Sequence, residues 1–247
     1  MRPEPLGYDS AMGTGPARQP SRQASRLPPI TPAQIIDRAV ELTRDHGVDG
    51  WTIRQLAAAL QAWPRVIGYH VGDRDAVVHG VVEHVVAQIP VPSADTPWPE
   101  WFRRILHDAR PILRRHRGTA RQIVVLGPVV TSFAPALDAG IGSLLRAGFG
   151  DHALDIYRYL ANIAFMLVAA EDERDDFPHA RATNNQFLAS YRDDDAHPGL
   201  AAAARIAGER PLNRESIERQ ERDFFDQSIE RSIAGAEVLL REILDRR

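Results

Sequence analysis

Six valines stand in pairs four residues apart: Val77-Val78, Val81-Val82 and Val85-Val86. Valine favours strands, but a strand alternates its faces every second residue. Spacing of four puts all six side chains on one face of a helix. Asp73 can cap that helix, and Pro90 and Pro92 end it. The same arithmetic along the chain finds helical periods and no run that reads as a strand, so the expected fold class is all-α. Beyond the proline-rich segment 90–100, helices are predicted near 98–116, 119–126, 128–147, 151–171, 180–192, 199–207 and 213–246. "ERDDFP" and "RDDDAHPG" read as solvated loops, and there are no internal repeats.

Composition narrows the function. A chain of 247 residues, 44% hydrophobic, can bury a real core. It has no cysteine, so disulfides and thiolate metal sites are excluded. All 30 cationic side chains are arginine, for which a GC-rich genome is explanation enough. Net charge is −3, so any basic footprint for nucleic acid must be local. The longest apolar run, "LANIAFMLVAA" (Leu160–Ala170), is shorter than the ~20 residues of a membrane span and leads into the acidic run Glu171–Asp176. With no hydrophobic leader either, the expectation is a cytoplasmic protein with no membrane partner. There is no phosphate loop, no GxSxG and no arguable triad, so no catalytic residues and no cofactor are expected. His79 and His84 are five apart, where a shared helix face needs three or four, and with His107 and His116 they make no case for a metal.

The N-terminal region carries the functional pattern. Residues 1–29, rich in Pro, Gly, Ser and Arg, read as a disordered basic arm. Thr31-Pro32 starts a helix with the apolar stripe Ile35, Ile36, Ala39, Val40 and Leu42, stopped at Gly47. A second helix starts at Thr52, with Ile53, Leu56, Ala57 and Leu60 on one face. After a turn of about four residues a third, of about two turns, opens at Trp63-Pro64. Two short helices across so tight a turn have the spacing of a helix-turn-helix, whose second member enters the major groove. Val66 and Ile67 can anchor it, leaving Arg65, Tyr69 and His70 outward. Thr52 and Arg54 can meet phosphates. Trp63 can lie on thymine methyls and sugar, or brace the turn. From Ile30 to Pro90 there are five arginines and seven acids, a balance of −2. Placement must therefore bring Arg54, Arg65 and Arg74 to the DNA face.

"ITPAQIIDRAVELTRDHGVDGWTIRQLAAALQAWPRVIGYHVGDRDAVVHGVVEHV" resembles the DNA-binding domain of TetR-family transcriptional repressors, ungapped over about 55 residues. "DFFDQSIERSIAGAEVLL" is similar to the final helix of the tetracycline-repressor-type C-terminal domain. The resemblance implies a helix-turn-helix domain over 30–76 and a helical effector-binding and dimerisation domain over 77–247. It implies a homodimer that binds a near-palindromic operator in double-stranded DNA and is released by a small-molecule effector. The DNA-binding residues would be Thr52, Arg54, Trp63, Pro64, Arg65, Tyr69, His70 and Arg74. Effector contacts would come from Trp101, His107, Gln122, Leu126, Phe133, Asn162 and Met166, with Trp98, Phe102 and Phe165 as further walls; Asn162 could instead bond across the dimer. Ser228, Ser232, Gly235 and Ala236 are small enough for another helix to approach the last one. The sequence departs from the family in the turn, where Gln61 replaces the usual glycine, and in the reading helix. There Gly68 stands for the usual tyrosine, with Tyr69 one place later. These departures keep a rival reading open: a helical ligand- or partner-binding protein with a degenerate DNA-binding head.

Overall fold

Local capping chemistry fixes where the first helices begin. The structure, a computed structural model, describes residues 30–127, 130–211 and 213–246; the arm expected over 1–29 lies outside them. In α1 (Pro32–His46) Thr31 and Gln34 form a capping box, and in α2 (Ile53–Ala59) Thr52 and Gln55 repeat it. Proline opens α3 (Pro64–His70). In α4 (Arg74–Val86) the Asp73 carboxylate accepts the Ala76 N–H at 2.9 Å. All six valines of the opening pattern are buried on α4.

These four helices close on Ile35, Ala39, Val40, Leu56, Ala57 and Ile67, all buried. Burying one such aliphatic side chain stabilises by roughly 1.5–3 kcal/mol. Trp51 is buried with them, and its indole N–H donates to the Thr43 hydroxyl at 2.9 Å. A short 3-10 turn, Val48–Gly50, reaches the next part of the chain: the Val48 N–H donates to the Arg117 carbonyl at 2.8 Å. Residues Thr31–Arg247 form one continuous unit.

The remaining helices are α5 (Trp98–Arg115), α6 (Thr119–Leu126), α7 (Ala134–Ala147), α8 (Ala153–Asp176), α9 (Pro178–Ala189), α10 (Pro198–Gly208) and α11 (Arg214–Asp245). No strand occurs among the described residues. The central helix is α8, which packs against α5, α6, α7 and α11. The segment Gly150–Asp176 is long and apolar enough, by length and composition, to cross a membrane; here its buried face is covered by those neighbours.

Two expectations change. The helix expected over 128–147 starts later: Gly127 ends α6 at positive φ, a 3-10 turn covers Thr131–Phe133, and α7 begins at Ala134. The helix expected to stop at 171 runs on to Asp176, so most of "ERDDFP" is helical and not a loop. The acids are neutralised from α5. Glu171 pairs with Arg110 at 2.8 Å and Arg114 at 3.2 Å, Asp175 pairs with Arg114 at 2.7 Å, and Asp172 pairs with Arg114 too. Asp172 also accepts the Gly118 N–H at 2.9 Å. Burial pushes Glu171 and Asp172 above the usual carboxylate range, against the pull of these partners. Of "RDDDAHPG", residues 192–197 are the mostly exposed connection from α9 as expected, while Pro198 and Gly199 open α10.

Candidate nucleic-acid interface and apolar cavity

The turn between α2 and α3 is four residues, Leu60–Trp63. The Ala62 N–H donates to the Ala57 carbonyl at 2.9 Å and the Gln61 N–H to the Ala58 carbonyl at 3.1 Å. That bond pair is a Schellman stop, whose first residue past the cap takes the left-handed conformation glycine prefers. Gln61 occupies it, at φ 52°. A side chain held there costs on the order of 1 kcal/mol.

The helix that follows is anchored by Ile67, which is fully buried, and by half-buried Val66. Its other face is open. Trp63 is 72% and Tyr69 85% exposed; Pro64, Arg65 and Gly68 lie beside them, also exposed. His70 is half-buried and meets the Tyr69 ring edge-on at 5.0 Å. Thr52 is an exposed cap and Arg54 is exposed in the first turn of α2. Between Thr52 and Val71 there is no Asp or Glu, while Arg54 and Arg65 both stand there without an ion-pair partner among the described residues. The acids of this region lie elsewhere: Glu41 pairs with Arg38, Asp49 with Arg121 at 3.5 Å, and Asp37 faces His84 at 3.7 Å. A negative head thus presents a locally positive, aromatic reading surface.

Arg74, unlike Arg54 and Arg65, is bonded within the chain. Its guanidinium donates to the Val48 carbonyl at 2.7 Å, lies 3.5 Å from Asp49 and covers the Trp51 ring at 5.3 Å. It is half-buried, and its bonds hold the start of α4 to the turn after α1.

Farther along, an apolar cavity with about 30 Å³ of free space lies between α4, α5, α7 and α8. Trp101 and Phe133 line it, as do Phe102 and Phe165. Gly140 lets α7 close against it: a Cβ there would come within 2.8 Å of the Trp101 ring and 2.6 Å of Tyr157. Two polar groups reach the lining. Ser132 donates its N–H and hydroxyl to Glu83 of α4, at 2.9 and 2.8 Å. Tyr157 has no hydrogen-bond partner among the described residues, and burial pushes its hydroxyl up to about 12. Sequence reasoning passed over Tyr157, although it shares the buried α8 face with Ala161 and Phe165 at helical spacing.

The other candidate residues are not on this cavity. Trp98 is buried edge-on to Phe149 at 5.2 Å. His107 lies between α5 and α11, 3.2 Å from Asp226. Gln122 is half-buried on α6, and Leu126 at its end is exposed. Asn162 and Met166 lie along the outer face of α8, both exposed. Among the described residues no three His, Asp or Glu side chains converge as a metal site.

The architecture is of a definite class: an all-helical chain with an N-terminal helix-turn-helix joined to a larger bundle that holds an apolar cavity. No family model matches the chain. It is 27% identical over 176 residues to the class E tetracycline repressor protein of Escherichia coli, covering 70% of this chain and 78% of the repressor. Its fold is that of the TetR-family protein ActR from Streptomyces coelicolor in complex with actinorhodin, with a TM-score of 0.69, 22% identity, and 85% and 96% of the two chains covered. A single-residue variant of TetR from Acinetobacter baumannii, in complex with minocycline, aligns at a TM-score of 0.60 with 19% identity, over 85% and 98%. In sequence and in fold the chain is TetR-like, and the likeness is to regulators, not to enzymes.

Proposed function

We propose that this chain is a ligand-responsive, DNA-binding transcriptional regulator that represses as a homodimer and releases a near-palindromic operator when a small molecule binds. The observation that carries this reading is the acid-free α2–α3 surface, with Arg65, Tyr69 and Trp63 open to a partner. Residues 30–76 serve as the DNA-binding domain and 77–247 as the effector and dimerisation domain. Arg65 and Tyr69 meet base edges; Thr52, Arg54, Pro64, Trp63 and His70 border them on sugar and phosphate. Arg74 acts by positioning, through Val48 and Trp51. The arm 1–29 adds basic contacts. The protein works in the cytoplasm, without a membrane.

The dimer reading rests on α8 and α11, which pack together and turn Tyr159, Met166, Phe224 and Val238 outward. Asn162 lies on the same outer face of α8, which suits a bond across the dimer better than an effector contact. Small Gly235 on α11 has nothing of its own chain near its missing Cβ, so a partner helix can approach there.

The effector site is the cavity, with Trp101 and Phe133 as walls and the Tyr157 hydroxyl as the polar hook. A drug-sized molecule needs roughly 300–1,000 Å³, so 30 Å³ is a closed state that binding must open. Ser132, tied to Glu83, passes that opening to α4 and so to the reading helix. The effector shifts operator affinity only as far as it prefers one state. Minocycline and actinorhodin, the compounds in the relatives' complexes, are the first to try.

Selection of bound DNA from a random pool tests the function and yields the operator. Enrichment of an inverted repeat is expected, its binding lost in Arg65→Ala and Tyr69→Ala with the dimer intact. A pool that never enriches favours the rival, a degenerate head on a ligand- or partner-binding bundle.

A further inference from the structure

Gly68 is in the fifth of seven positions of α3 and exposed. A Cβ built there would meet nothing within 4 Å. Its φ is ordinary, unlike that of Gln61. Neither packing nor backbone conformation therefore asks for glycine, and alanine would favour the helix. The reason for a bare backbone must lie outside the chain. Its surroundings say what kind of surface it meets. Pro64 and Arg65 stand one turn before it and Tyr69 beside it, all exposed, with Trp63 at the helix start. The missing Cβ leaves bare, open backbone on that face, with Pro64 and Arg65 one turn back and the Tyr69 ring next along the chain.

We infer that this bare stretch of backbone meets the 5-methyl group of a thymine, so that Gly68 selects a T·A pair at one position of each half-site. This rests on the DNA-binding reading above. In the major groove the thymine methyl is the one apolar projection, and apolar contact is how side chains read it. Glycine lets a backbone come close to a ligand. Arg65, one turn back, is placed to bond a neighbouring guanine or phosphate. His70 meets Tyr69 edge-on at 5.0 Å, and the exposed Tyr69 ring supplies a second apolar surface beside the methyl.

The test uses the selected operator and the full-length protein. Each thymine is replaced in turn by deoxyuridine, which removes the methyl and keeps the pairing. One position per half-site should weaken wild-type binding about 5–10-fold. Gly68→Ala should hold or raise the melting temperature, bind the thymine operator at least 10-fold more weakly, and no longer distinguish thymine from deoxyuridine there. Equal operator affinity in Gly68→Ala, or no methyl-sensitive position for the wild type, overturns the inference while the DNA-binding reading stands. Failure of the wild type to bind any selected DNA would instead overturn the reading beneath it.

Discussion

Arg74→Ala separates a positioning role from a DNA contact. Three interactions are lost. The charged hydrogen bond to the Val48 carbonyl, at 2.7 Å, is worth about 1.5 kcal/mol at the low end of its range, which suits a side chain 35% exposed. The guanidinium over Trp51 adds about 0.5 kcal/mol. The 3.5 Å pair with exposed Asp49 adds little beyond that. The total, about 2 kcal/mol, corresponds to a fall of roughly 4–8 °C in melting temperature for a chain of this size. Arg65→Ala, which breaks no bond among the described residues, should stay within about 0.5 kcal/mol of wild type. Urea unfolding at fixed protein concentration gives both stabilities, and titration of the selected operator gives both affinities. Arg74→Ala should lose stability, and keep most of its operator affinity well below its melting point. Arg65→Ala should do the reverse. An Arg74→Ala protein as stable as wild type, with operator binding abolished, would refute the argument and return Arg74 to the DNA surface.

Other perturbations follow from single features. Gln61→Gly removes a side chain from φ 52°; urea unfolding should find it as stable as wild type or up to about 1 kcal/mol more so, because the gain in backbone freedom is offset partly by the unfolded chain. Gly140→Val drives a side chain into Trp101 and Tyr157, so it should cost about 1–3 kcal/mol and abolish effector release of DNA while DNA binding persists at low temperature. His116 is fully buried, and burial, joined by Arg44 and Arg115, holds its imidazole below the usual 6.5, although its bond to the Ile112 carbonyl opposes this. With the folded value depressed, the unfolded chain binds the proton first. Stability from this group is therefore present above about pH 6.5 and falls as the solution is acidified below it. The urea midpoint measured from about pH 7.5 to 5 should fall less steeply in His116→Asn than in wild type.

Much of this protein is written locally. The valine pairs fix α4 and the Thr-Gln boxes fix the starts of α1 and α2. The four-residue turn before Pro64 fixes the helix-turn-helix, because period, cap and turn act over a few residues. Gln61 could even be read as a residue forced into a glycine conformation. What the sequence could not disclose depends on partners far along the chain. Asp172 and Glu171 read as the start of a solvated acidic run, yet they are buried against arginines about sixty residues earlier. Arg74 read as a DNA contact, and only the fold shows that Val48 and Trp51 lie against it. Tyr157 drew no notice in the sequence, and it is the fold that brings it to the cavity lining with Trp101. Helical spacing decides which face a residue is on. What packs against that face is decided by tertiary structure, and so is whether a charge is solvated, paired or left open to a ligand.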